Sequence, residues 1–179
     1  MYKLAEAIAV LLSLAYTWMY LKGYLPEGYI PAGIGAGIFA ILCWTKKIYA
    51  ESALQLFYIG MAAYGFYIVS DPGSGEVWTI STHLLWLLAA TIGTLLLGTF
   101  LKLHTDASMP YLDAFTTVFS VIATWMMIHL VHENWLYWII IDAVSIYLYA
   151  KRGLKLGSVL FAVYLLLALD GYFDAISIF

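Results

Sequence analysis

The sequence predicts an all-α polytopic membrane protein, with seven transmembrane helices in a parallel 3+1+3 repeat. Three observations carry that expectation. The 179-residue chain is 64% hydrophobic and 11% charged, with a mean hydropathy of +0.91, more apolar surface than a soluble domain of this size buries. Its apolar runs are long and continuous, and Val77 to Leu101 contains no Asp, Glu, Lys or Arg; a membrane barrel would instead alternate over ~10-residue segments. The first three helices also resemble the last three at a nearly constant offset.

Helices are expected at 4–22, 28–45, 50–70, 79–102, 110–130, 134–150 and 154–175, forming one transmembrane domain over 1–179. That domain comprises a first bundle (1–70), a linker helix (79–102) and a second bundle (110–175). The separators are short and punctuated, such as Lys22-Gly-Tyr-Leu-Pro-Glu-Gly28, Thr45-Lys-Lys47, Asp71-Pro-Gly-Ser-Gly75 and His104-Thr-Asp-Ala-Ser-Met-Pro110. None holds a second domain. The first helix carries Glu6 early and lacks a convincing small-residue cleavage site, so it is read as retained. The single Cys43 sits in an apolar run and reads as a small core residue.

Charge placement sets the orientation. Seven of the eight Lys and Arg residues (Lys3, Lys46, Lys47, Lys102, Lys151, Arg152 and Lys155) fall on the side of the N-terminus, and only Lys22 falls on the other. By the positive-inside rule the N-terminus is cytoplasmic and the C-terminus outside.

The repeat is read by shifting the chain against itself. An offset of 107 places Glu6-Ala7 over Asp113-Ala114, Ser13 over Ser120, and Thr17-Trp18-Met19 over Thr124-Trp125-Met126. An offset of 106 places Tyr58 over Tyr164 and Gly65-Phe66-Tyr67 over Gly171-Tyr172-Phe173. Three helices end on the opposite side from their start. A fourth returns the chain, so both groups point the same way, and a site between two such bundles is the arrangement of a transporter.

Asp142 is the acid placed near the midplane, about 12 Å along the sixth helix from Asn134. A carboxylate at that depth faces protein, water or a ligand. It is either a counter-charge for a ligand or an acid hydrogen-bonded to neighbouring helices. Trp135 and Trp138 share its face, Trp135 also suiting an interfacial anchor. Indole faces beside a carboxylate fit a flat cationic ligand, at ~0.5–2 kcal/mol per cation–π contact. On the third helix Gln55, Tyr58 and Phe66 are candidates, with Tyr64 on a neighbouring face; Gln55 equally suits a bond between helices. Ser120 and Thr124 either line a path or pack closely, and Asp170 sits near the end of the last helix. Glu6 and Asp113 read as first-turn acids favoured by the helix dipole. Gly33-Ile-Gly35-Ala-Gly37 reads as a close-packing face.

His83, His104, His129 and His132 are scattered without metal-ligand spacing. No nucleophile–base motif, cofactor motif or nucleic-acid signature is present, so the chain is read as a non-enzyme without cofactor or metal.

Several stretches then match a known pattern. Glu133-Asn134-Trp135-x-x-Trp138-x-x-x-Asp142, followed by Tyr149 and Gly153-Leu154, resembles the most recognisable segment of the PnuC family of vitamin transporters. Asp113-Ala114-x-Thr116-Thr117 with Ser120 and Ala123, Gln55-x-x-Tyr58 leading to Tyr64-Gly65-Phe66-Tyr67, and Gly171-Tyr172 resemble three further family segments. The resemblance implies a SWEET-like fold in the bacterial inner membrane, a homotrimer, and facilitated diffusion of a water-soluble vitamin trapped by a cytosolic kinase. Many members read Gly-Trp-x-x-Trp where this chain has Gly65-Phe66-Tyr67-Ile68-Val69. That departure tilts the expected substrate from nicotinamide riboside toward thiamine. Both are cationic aromatics. A SWEET-like sugar facilitator, an intramembrane enzyme and a structural protein are the alternatives.

Overall fold

In the computed structural model the described residues are 2–45, 49–69, 76–151 and 155–173. The side chains of Lys3, Cys43 and Lys155, the Lys46-Lys47 turn, the 71–75 separator and Arg152-Gly153-Leu154 lie outside the described set. Among the described residues the structure is seven helices with no strand: α1 (Tyr2–Leu21), α2 (Tyr29–Thr45), α3 (Tyr49–Ile68), α4 (Ile80–His104), α5 (Pro110–Ile128), α6 (Asn134–Lys151) and α7 (Lys155–Phe173). Each end falls within two residues of its expected position. Because α1 starts at Tyr2, Glu6 lies beyond the first turn, and the dipole reading fails for it; Asp113 does occupy the first turn of α5.

By length and composition, Leu4–Leu21, Ile80–His104 and Pro110–Ile128 can each cross a bilayer, and Tyr29–Leu42, Ser52–Ile68 and Ser158–Phe173 are shorter apolar helices. The chain is an integral membrane protein. The helix ends follow from sequence: Thr79 caps α4 by accepting from Thr82 N at 3.2 Å, and Pro110 opens α5, where its missing N–H costs nothing.

The chain divides into two compact units, Met1–Gly75 and Glu76–Phe179. In the first, α2 packs against both α1 and α3. In the second, α6 packs against both α5 and α7, while α4 packs on α5. There Gly98 of α4 admits the Tyr111 ring of α5 at close range.

Several local contacts recur between the units. In α1 Thr17 Oγ1 donates to Ser13 O at 3.1 Å; in α5, 107 residues on, Thr124 Oγ1 donates to Ser120 O at 2.7 Å. Each of these helices closes with a residue in the left-handed region, Gly23 (φ +70°) and Leu130 (φ +52°). Each closure is locked by a backbone bond five residues back, Tyr24 N to Met19 O and Val131 N to Met126 O, both 2.9 Å. At an offset of 106, Ser52 Oγ donates to Ala40 O at 2.9 Å, and Ser158 Oγ to Ile146 O at 3.2 Å.

The middle helix of each group also seats an aromatic ring on a glycine of the next. A Cβ on Gly65 would lie 2.6 Å from the Tyr29 ring, and one on Gly171 2.5 Å from the Trp135 indole.

Two variants test these seats. Gly171→Ala should lower stability by about 1–3 kcal/mol through overpacking, read as a lower Tm in detergent; Gly60→Ala, where an added Cβ meets nothing within 4 Å, is the control. Leu130→Gly should raise Tm, since a branched side chain in the left-handed region costs roughly 1–2 kcal/mol.

Candidate recognition face on α6

The turn that closes α5 delivers the chain into α6, and Asn134 fastens the joint by donating from Nδ2 to Val131 O at 2.7 Å. α6 has 18 residues and belongs to neither group of strongly apolar helices. Polar positions interrupt it: Asn134, Trp138 and Asp142 recur every four residues, and Ser145 follows three later. At 3.6 residues per turn these positions form one gently winding stripe. Asp142 is the ninth residue of the helix, at its midpoint.

The stripe is largely buried, and two of its polar atoms are unused. Asp142 is 3% exposed and Asn134 1%. Asn134 Oδ1 and Trp138 Nε1 have no hydrogen-bond partner. Among the described residues no hydrogen bond or ion pair reaches the Asp142 carboxylate. Each such atom costs about 1–3 kcal/mol when buried unmade, and a lone carboxylate costs more. The fold carries this cost at two successive turns, beside a third that holds a buried acid.

The two tryptophans have separate duties. Trp135 is 6% exposed and seated on Gly171 of α7, so the interfacial-anchor reading does not describe it. Trp138 packs its ring against a core of Ala90, Ile122, Ala123, Met126, Val131, Tyr137 and Ile141 while its N–H stays unpaired. A flat cation above that ring and beside Asp142 would meet both attraction and neutralisation.

Of the remaining candidates, Ser120 is buried on α5, and the Thr124 hydroxyl is spent on its own helix at Ser120 O. Asp170 is half-buried in the last turn of α7. Gln55, Tyr58, Tyr64 and Phe66 lie on α3, in the first unit; Gln55 and Tyr58 are half-buried, Tyr64 and Phe66 exposed. Among the described residues no group of three or more His, Cys, Asp or Glu gathers as a metal site.

Two long-range ties went unread in the sequence, one half-buried and one exposed. His83 Nδ1 of α4 bonds Tyr137 Oη at 3.2 Å, and His129 Nδ1 meets Glu76 Oε1 at 2.8 Å. The partners are 54 and 53 residues apart, and no local spacing announces them. Ser145 was legible from its place on the stripe.

Residues 3–176 match the family model described as "Nicotinamide mononucleotide transporter". A nicotinamide riboside transporter PnuC of Neisseria mucosa is 26% identical over 166 residues, an alignment covering 83% of this chain and 63% of the relative. The Escherichia coli K12 protein of the same name is 24% identical over 170 residues, 77% of this chain and 71% of its own. This chain thus spans less than two thirds of the Neisseria relative's length. A crystal structure of "the Vitamin B3 transporter PnuC" superposes with a TM-score of 0.76 at 24% identity, covering 95% of this chain and 79% of that one.

If nothing in the fold uses the Asp142 charge, Asp142→Asn keeps the shape and removes a desolvation cost. Its Tm without ligand should equal or exceed that of the wild type; a loss of several degrees would show that the carboxylate is structural.

Proposed function

The chain belongs to the nicotinamide mononucleotide transporter (PnuC) family over residues 3–176, and on that premise we propose that it takes up nicotinamide riboside by facilitated diffusion across a bacterial inner membrane. The observation that carries the proposal is the Asp142 carboxylate, buried at the midpoint of α6, with the unpaired Trp138 N–H one turn away. Nicotinamide riboside bears a fixed pyridinium charge on a flat ring, which such a pair suits. The first-named relatives are nicotinamide riboside transporters.

The substitution of both third-helix tryptophans favoured thiamine. None of the relatives above is named for thiamine, and nicotinamide riboside fits them better. The mononucleotide in the family's description carries a phosphate besides the pyridinium. The α6 stripe offers a carboxylate and no cation to such a group, which favours the riboside. A sugar facilitator would leave the carboxylate without a role, and the relatives' names do not favour an enzyme.

Asn134, Trp135, Trp138 and Asp142 are the proposed recognition residues, with Ser120, Thr124 and Asp170 as further contacts in the second unit and Gln55, Tyr58, Tyr64 and Phe66 as those of α3. The recurring offsets of 107 and 106 support a parallel 3+1+3, SWEET-like arrangement with α4 as linker. The basic-residue distribution supports a cytoplasmic N-terminus. Metabolic trapping by a cytosolic kinase would give the flux direction, and a homotrimer is proposed from the family resemblance alone.

Titration of the purified protein with nicotinamide riboside, its mononucleotide, thiamine, riboflavin and a deoxynucleoside decides the substrate. Nicotinamide riboside should bind tightest, and thiamine binding equally well or better would overturn the choice. Asp142→Asn should weaken that binding by at least about tenfold, near 1.4 kcal/mol. Trp138→Leu should cost about two- to thirtyfold, the loss of one cation–π contact.

A further inference from the structure

The linker helix has no part in the recognition stripe, yet it reaches the helix that carries it. α4 packs on α5, and its His83 side chain extends to α6 to meet the Tyr137 hydroxyl at 3.2 Å, with Nδ1 or Oη the donor according to the tautomer. This tie is enclosed by rings. His83 lies 5.4 Å from Trp78 and 6.0 Å from Tyr137 between centroids, Trp78 stacks on Trp86 at 5.8 Å, and Phe119 of α5 closes on Tyr137 at 6.5 Å. Tyr137 belongs to the same buried core that supports the Trp138 ring.

Neighbouring residues of a helix stand about 100° apart around its axis, so whatever holds Tyr137 also sets where Trp138, and with it Asn134 and Asp142, can point. Apolar contacts around a helix tolerate small rolls. A half-buried hydrogen bond flanked by aromatic rings tolerates them less, because breaking it leaves two sheltered polar atoms unpaired. His83 Nε2 is already buried without a partner, so the imidazole has no alternative bond to retreat to.

We propose that His83 is a positioning residue for substrate recognition: through Tyr137 it fixes the roll of α6 and so aims the Asn134–Trp138–Asp142 stripe. The substrate side of this inference rests on the function proposed above; the helix-roll side does not.

The test combines a ligand titration with a ligand-free readout. The protein is labelled with 5-fluorotryptophan, giving seven fluorine resonances for its seven tryptophans, and that of Trp138 is assigned by its loss in Trp138→Phe. His83→Phe and Tyr137→Phe should each shift the Trp138 resonance while leaving those far from the tie in place. Each should weaken nicotinamide riboside binding by about three- to tenfold, the range of a bond between membrane helices. The double variant should be no worse than either single one. His83→Asn, whose amide reaches the place of Nδ1, should restore both readouts, and His83→Gln should not.

An unmoved Trp138 resonance with unchanged affinity overturns the proposal. So does a uniform shift of all seven resonances, which marks general loosening, or equal rescue by Asn and Gln. If the wild type binds no nicotinamide riboside while the Trp138 resonance responds as described, the helix-roll inference stands and the substrate assignment falls.

Discussion

A carboxylate buried at the midpoint of α6 is the constraint around which the second unit is arranged. Asp142 is buried there, and Asn134 Oδ1 and Trp138 Nε1 lie unpaired along the same stripe. Such groups persist only where the surroundings hold them in place. α6 is gripped on three sides: α5 supplies the apolar core, α7 the glycine seat for Trp135, and α4 the histidine bond to Tyr137. The grip is tight where the stripe is costly.

The recurring contacts show that scaffold and chemistry can be separated. The hydroxyl bridges, the left-handed closures and the aromatic-on-glycine seats appear in both groups of three helices. The stripe does not. At the offset of 106, Asn134, Trp138 and Asp142 fall over Gly28, Ala32 and Ala36, all small and none able to contact a cation chemically. Similar local contacts thus accompany a polar stripe in one group and a plain face of small residues in the other.

Much of this was legible in the residues. Long uncharged runs, punctuated by glycine, proline and basic turns, located every helix end to within two residues, because hydrocarbon leaves the chain little freedom. Asp142 was conspicuous by its depth, and the shared offset of Gly65 and Gly171 was readable before the rings that fill them were known. What could not be read is what depends on contact between distant segments. The ties of His83 to Tyr137 and of Glu76 to His129 have no periodic signature. Trp135 and Trp138 share one face of the helix, with Trp135 also suiting an interfacial anchor. Only their neighbours assigned one to a glycine seat and the other to an unpaired N–H. Glu6 was misjudged because a helix start drifts by two residues without any change in hydrophobic pattern.

The drop in offset from 107 to 106 falls in the short turn between Val131 and Asn134, so the first group has one more residue there than the second. Inside a helix, losing one residue would rotate everything beyond it by about 100°, carrying the seats and bridges off their partners. In a turn the loss is absorbed before the next helix begins. If the two groups descend from one duplicated segment, that turn records where the copies could differ in length and still fold alike. It also names the place where an engineered insertion would leave α6 in register.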